Sequence, residues 1–188
     1  MSSDERNLQG VNNNRPLARA VTDSVLPGFV LGLLFGAWNV ASTILVPLMD
    51  DTPLTLASFY GPMFTAWGVA GGVAYRRTGR LPAAALSGAT VALVTFTVLT
   101  AIVIARVNLF LDLIIQRPDW RNLVARFEES GFDSFRVYVN YVYIIGMPFK
   151  LVVATTIGGA AGLAGGLVCA LWASGVPRDG TSGVTVPR

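Results

Sequence analysis

Four long runs without a charged residue dominate the pattern of this sequence. They extend over residues 24–49, 52–75, 81–105 and 151–177. A helix needs roughly 20 apolar residues to cross the hydrocarbon layer of a membrane, and each run is longer than that. The pattern therefore predicts an all-α integral membrane protein with four transmembrane helices.

Composition and the flanking polar segments define the domain organisation. Only 13% of the residues are charged and 53% are hydrophobic, whereas soluble domains carry about 25% charged residues. We expect a disordered cytoplasmic tail over residues 1–23, a transmembrane domain over residues 24–175 and a flexible C-terminal tail over residues 176–188. The transmembrane domain would contain one extramembrane insertion at about residues 106–136.

The distribution of basic residues predicts the orientation. Cytoplasmic loops of membrane proteins are enriched in Lys and Arg. The turn between the first two runs carries only Asp50 and Asp51, while basic residues occur in the N-terminal segment (Arg6, Arg15, Arg19) and in the next turn (Arg76, Arg77, Arg80). This favours a multi-pass protein of the bacterial cytoplasmic (inner) membrane with both termini in the cytoplasm.

The long third connection contains a candidate docking helix. Pro118 disfavours helix in the residue before it, and Asp119 can cap a new helix. Four apolar residues then follow at helical spacing and form one stripe: Trp120, Leu123, Val124 and Phe127. Such a helix can lie on the membrane surface, cap the bundle or dock on a partner.

Small residues recur at a spacing of four and predict close helix packing. They are Gly28, Gly32 and Gly36 in the first run, Gly68 and Gly72 in the second, and Gly158, Gly162 and Gly166 in the fourth. This spacing places them on one helix face, where they let two backbones approach closely. The contacts can form within one chain or between subunits.

The residue types that are missing exclude several functions. The sequence has no His, no charge inside any of the four runs, and no catalytic motif. We therefore expect no enzyme activity, no metal and no cofactor. The net charge of +3 is small and its basic residues are scattered, which argues against binding of nucleic acid.

Three residues lie near the middle of their runs and are candidates for an intramembrane ligand or partner contact, or for interhelical packing. They are Trp38, Asn39 and Trp67.

The layout of the chain resembles a family of bacterial four-helix membrane proteins of unknown function. The resemblance rests on the basic turn Arg76-Arg77-Thr78-Gly79-Arg80 and on the Pro118-Asp119 step after the third run. It covers roughly residues 25–173. The resemblance implies the four-helix fold and no activity.

Two functions are compatible with these patterns. The first is a non-enzymatic accessory or assembly subunit that packs against a larger membrane complex, with an energy-transducing complex as a candidate host. The alternative is a small homo-oligomeric channel or transporter for a neutral or lipidic solute. The expected partners are membrane lipid and either a membrane protein or a second copy of the chain.

Overall fold

The computed structural model describes the backbone of residues 3–46 and 52–175, and it contains helices and turns but no strand in those ranges. The prediction of an all-α fold is therefore confirmed for the part of the chain that is described. The helices are α1 (Ser3–Leu45), α2 (Pro53–Thr78), α3 (Leu81–Leu109), α4 (Leu111–Ile114), α5 (Arg121–Glu128) and α6 (Phe135–Gly175), with a 3-10 turn at Pro118–Trp120.

Local sequence signals explain where α2 begins and ends. The Thr52 hydroxyl accepts a hydrogen bond from the Thr55 amide at 3.2 Å, and the Thr55 hydroxyl accepts one from the Thr52 amide at 2.8 Å. This reciprocal pair satisfies amides that the first helical turn leaves without partners. At the other end, Gly79 adopts a left-handed φ of 65° and its amide bonds to the Tyr75 carbonyl, which stops the helix before α3.

Three helices are long and apolar enough to cross a membrane. These are Leu17–Leu45 within α1, Leu81–Leu109 in α3 and Phe135–Ser174 within α6. The second run, which also predicts a transmembrane helix, is helical as α2 but is not one of the three. Its apolar content is diluted by glycines and by Tyr60, Pro62 and Trp67, although it carries no charged residue before Arg76.

The two predicted tails compare differently with the structure. The backbone of residues 3–23 belongs to α1, and the sequence predicts a disordered cytoplasmic tail over the same segment. The predicted C-terminal tail at residues 176–188 lies outside the described residues, as does the Asp50-Asp51 turn.

Helix α3 lies at the centre and packs against α1, α2 and α6, while α2 also packs against α6. The order of the glycine contacts gives the helix directions. Contacts of α1 with α3 advance along both helices together, so these two are parallel, as are α2 and α6. Contacts of α3 with α6 run in opposite senses, so these two are antiparallel. The long helices therefore form an up-and-down bundle.

Two clusters of buried side chains hold the bundle together. One lies between the long helices and includes Met63, Trp67, Val91 and Leu99. The second lies at the end of the bundle where α3 ends and α6 begins, and it consists of Val107, Ile114, Trp120, Tyr138 and Val139. We call the segment 117–128, which covers this second cluster, the cap.

Candidate functional site

The predicted glycines of α1 lie against α3. A methyl group placed on Gly28 would lie 2.9 Å from the Val91 carbonyl oxygen, closer than real side chains approach. A methyl group on Gly32 would meet α3 in the same way, and one on Gly36 would meet the Ile102 side chain. The missing side chains therefore allow α1 and α3 to touch along three successive turns.

The predicted glycines of α6 lie against α3 as well. A methyl group on Gly162 would lie 2.5 Å from the Ala84 carbonyl oxygen and 2.9 Å from the Gly88 Cα atom. One on Gly158 would lie 2.7 Å from the Gly88 carbonyl oxygen, and one on Gly166 would lie 2.7 Å from Ala84 Cβ. These three glycines form the antiparallel contact between α3 and α6.

Gly68 and Gly72 face α6, but the tightest contacts of α2 involve two glycines outside the predicted set. Gly71 lies directly against the backbone of Gly162, and Gly165 lies directly against the backbone of Gly68. Gly162 is therefore enclosed by α2 and α3 together. In the sequence Gly71 is next to Gly72, and Gly165 is next to Gly166. A pair of adjacent glycines presents small residues on two sides of a helix, and this is the signal that could have found them, since α2 and α6 each contact at least two other helices. The small-residue faces thus contact helices of the same chain.

The predicted docking stripe packs against the beginning of α6. Trp120 is buried in the 3-10 turn and stacks on Tyr143 with 6.4 Å between ring centroids. Phe127 meets the Tyr138 ring at 5.8 Å, and Leu123 packs against the same cluster. Val124 is half-buried. The stripe therefore covers the end of the bundle.

A cleft of about 680 Å³ lies below the cap, between α1, α2, α3 and α6. This volume falls within the range of about 300–1,000 Å³ that is typical of small-molecule sites. Most of its wall is apolar or aromatic, and this part of the lining includes Trp38, Phe59, Phe64, Phe96, Leu99, Val103, Phe149, Val153 and Ile157. We call this cavity the Arg106 cleft, after the buried arginine that α3 contributes to its lining.

Arg106 enters the cleft from the last turn of α3 and is only 6% exposed. Its Nη1 atom donates a hydrogen bond to the Thr43 hydroxyl at 2.9 Å. Its Nε atom is buried and has no hydrogen-bond partner among the described residues. Since a buried donor without a partner is costly, this nitrogen is a candidate contact for a bound acceptor.

Among the described residues, three other charged side chains line the cleft. Arg117 and Asp119 form a two-pronged ion pair with both nitrogen–oxygen distances at 3.0 Å, and their side chains are 4% and 11% exposed. Lys150 lies over the Tyr143 ring, with Nζ 4.6 Å from the ring centroid. The lining therefore combines three cations with one carboxylate, which Arg117 already engages.

The structure brings two of the three predicted contact residues into this cleft. Trp38 lines it and is 65% exposed. Asn39 also lines it, and its side-chain oxygen is buried without a hydrogen-bond partner among the described residues. Trp67 is fully buried elsewhere in the core, where it packs between Phe64 and Phe96.

A second cleft of about 860 Å³ lies between α1 and α2 at the opposite end of the bundle. Its Arg77 and Asp23 side chains form an ion pair at 3.2 Å and are 65% and 58% exposed. Ser24 and Ser87 share a buried hydrogen bond at 2.7 Å. Because its acid is paired and its polar floor is satisfied, the second cleft is the weaker candidate.

Sequence reasoning missed Arg106 and Lys150 as site residues. Each lies immediately outside a charge-free run, so the sequence pattern assigns both to the extramembrane connection.

Among the described residues, no group of three or more His, Cys, Asp or Glu side chains could hold a metal ion. Comparison with protein-family models, curated proteins and solved structures finds no match for this chain.

Proposed function

We propose that the chain is an integral membrane protein in which α2 also crosses the bilayer, giving four spanning helices. The parallel packing of α1 and α3 supports this, because a chain that leaves one spanning helix must return across the membrane before it starts a parallel one. Helix α2 has 26 residues and is therefore about 39 Å long at 1.5 Å per residue. Exposed apolar residues such as Leu54 and Val69 suit contact with lipid.

Cysteine labelling tests this topology. In a Cys169→Ala background, Leu54→Cys and Arg76→Cys place one thiol near each end of α2, and both positions are exposed. With both termini in the cytoplasm of a bacterium, a membrane-impermeant thiol reagent added to intact cells labels Leu54→Cys, and it labels Arg76→Cys only after lysis. Labelling of both thiols from the same side would show that α2 does not cross.

We further propose that the protein is not an enzyme and that the Arg106 cleft holds a lipid-like molecule. This develops the lipidic-solute alternative of the sequence analysis. The observation that carries it is that apolar residues of the cleft lining are exposed, so the cleft is open along its apolar wall: Trp38 (65%), Phe149 (74%), Val153 (38%) and Ile157 (39%). In a bilayer such an opening faces the acyl chains, so a lipid tail can enter from the side.

Two adjacent tryptophan substitutions test this proposal. Val153 lines the cleft, whereas its neighbour Val152 does not line it and is 65% exposed. We expect Val153→Trp to fill the cleft and to abolish retention of lipid after purification in mild detergent, as measured by native mass spectrometry. Val152→Trp should leave retention unchanged. Equal lipid retention by both variants would contradict the proposal.

The accessory-subunit hypothesis is a second proposal, and one specific observation favours it. Helix α1 packs mainly on α3, and it leaves Leu26, Leu33, Leu34 and Trp38 exposed along its other side. A partner helix of a larger membrane complex, or a second copy of the chain, could cover that side. Purification from native membranes in mild detergent tests this proposal, which fails if the protein always elutes as a monomer.

A further inference from the structure

We propose that the Arg106 cleft selects an acidic lipid, with Arg106 and Lys150 contacting its anionic headgroup and the apolar wall holding an acyl chain. This inference rests on the proposed lipid-binding function and names the headgroup chemistry that the site accepts. A phosphate or carboxylate group in a headgroup without a cation would satisfy it, because both present several acceptor oxygens to Arg and Lys donors. In phosphatidylcholine the choline cation offsets the charge of the phosphate.

The charge balance of the lining carries the inference. Asp119 is the only acid among the described residues that line the cleft, and both of its oxygens bond to Arg117. Arg106 and Lys150 have no carboxylate partner among the described residues. A buried guanidinium without a carboxylate of the described residues in direct contact is expensive to keep, so an anion in the cleft would stabilise the arrangement.

The hydrogen-bond geometry leaves one edge of Arg106 available. The Thr43 hydroxyl donates to the Asn39 carbonyl at 3.0 Å and accepts from Arg106 Nη1 at 2.9 Å. This chain of bonds fixes the guanidinium against α1. Nε remains buried without a partner. One oxygen of an anionic group at this edge would supply the missing acceptor.

The positions of the two cations along their helices fit a headgroup at the edge of the membrane. Arg106 follows the charge-free run of α3, and Lys150 precedes the charge-free run of α6, so both cations lie at the capped end. The aromatic and aliphatic wall begins one turn away, with Val103 and Val153, and continues to Phe96 and Ile157. A charged group followed by an apolar stretch matches an amphiphile better than a free inorganic anion.

A titration of delipidated protein in maltoside micelles tests this inference. The probes are short-chain phosphatidylglycerol, short-chain phosphatidylcholine of equal chain length, and inorganic phosphate. We expect wild type to bind phosphatidylglycerol about tenfold more tightly than phosphatidylcholine, since charge-assisted hydrogen bonds are the strong ones. Inorganic phosphate should neither bind measurably nor displace the acidic lipid.

Variants separate the headgroup contact from folding. Lys150 is exposed, so Lys150→Gln should fold normally and weaken phosphatidylglycerol binding about tenfold. Phosphatidylcholine binding should weaken much less, because choline already offsets the charge of its phosphate. Arg106→Gln should show the same selective loss. Arg126→Gln is the matched control, because Arg126 is an exposed cation at the same end that does not line the cleft.

The possible outcomes distinguish this inference from the function on which it rests. Equal binding of the two lipids, blocked by Val153→Trp, would overturn the headgroup selection and leave the lipid-binding cleft intact. Phosphate binding as tight as that of phosphatidylglycerol would overturn the assignment to a lipid. Lipid binding that Val153→Trp does not affect would overturn both proposals.

Discussion

Arg106 of α3 donates a hydrogen bond from Nη1 to the hydroxyl oxygen of Thr43 on α1, at 2.9 Å. Thr43 is completely buried, and its own proton goes to the Asn39 carbonyl. The contact therefore joins two parallel helices at the capped end of the bundle through a residue that bears a full charge. It also fixes the guanidinium in the wall of the cleft.

Replacing Thr43 by valine tests the importance of this bond for stability. Thr43→Val keeps the side-chain volume but removes the acceptor, so it should cost about 1–3 kcal/mol of stability. Thr97→Val is the control, because Thr97 is exposed and its hydroxyl bonds only to the Leu93 carbonyl of its own helix. The measurement is the midpoint of thermal unfolding in detergent. Equal shifts of the midpoint in Thr43→Val and Thr97→Val would contradict this expectation.

Gly162 and Gly159, on the same helix, should respond oppositely to the same substitution. A methyl group on Gly162 would lie 2.5 Å from the Ala84 carbonyl oxygen of α3, whereas one on Gly159 would make ordinary contacts with Ala85 and Ala89 at 3.7 Å. Gly162→Ala should therefore destabilise the bundle by about 1–3 kcal/mol through overpacking. Gly159→Ala should stabilise α6 by about 0.5–1 kcal/mol, because it restricts the unfolded backbone. Unfolding midpoints that move in the same direction would contradict this.

A pair of amides connects α3 to α6. Asn108 Nδ2 donates to Asn140 Oδ1 at 2.9 Å, and Asn140 Nδ2 donates back to Asn108 Oδ1 at 3.0 Å. Either single change to leucine leaves the other amide without this partner, whereas the double change leaves neither. The double variant should therefore be more stable than the sum of the single effects predicts, by about 0.5–3 kcal/mol. Additive effects in a double-mutant cycle would show that the pair contributes nothing jointly.

The Arg117–Asp119 ion pair should hold the cap in place. Asp119→Asn removes the counter-charge of a guanidinium that is 4% exposed, and breaking a buried pair in this way costs about 3–5 kcal/mol. We expect faster hydrogen exchange in α5 and a lower unfolding midpoint. Asp112→Asn, at an exposed position next to the cap, should leave both unchanged, and similar exchange in the two variants would argue against the role of the pair.

Much of the helical layout follows from the sequence. As far as the structure describes them, the four charge-free runs lie in α1, α2, α3 and α6, although α1 and α6 begin well before their runs. In a bilayer a long uncharged run favours helix, because a helix satisfies its own backbone hydrogen bonds. Which glycine faces which helix does not follow. Gly71 and Gly165 make the closest contacts of α2 with α6, but four-residue spacing describes a row on one helix and contains no information about its neighbour.

The candidate site was predictable only in part, for a similar reason. Asn39 and Trp38 are recognisable as a polar residue and a bulky ring inside an apolar run, and both line the cleft. Arg106 is recognisable only as a boundary charge. Its burial depends on Thr43, which lies 63 residues earlier in the chain, and on the cap that folds back over it.

Photo-crosslinking with a phosphatidylglycerol that carries a diazirine in its acyl chain tests the central claim most directly. Leu99 lines the Arg106 cleft but is only 6% exposed, whereas Leu34 is 61% exposed on the perimeter. If a lipid occupies the cleft, the label appears at Leu99 and its lining neighbours as well as at the perimeter, and Val153→Trp removes only the cleft signal. Labels confined to perimeter residues such as Leu34, in wild type and variant alike, would show that lipid surrounds the protein without entering the cleft.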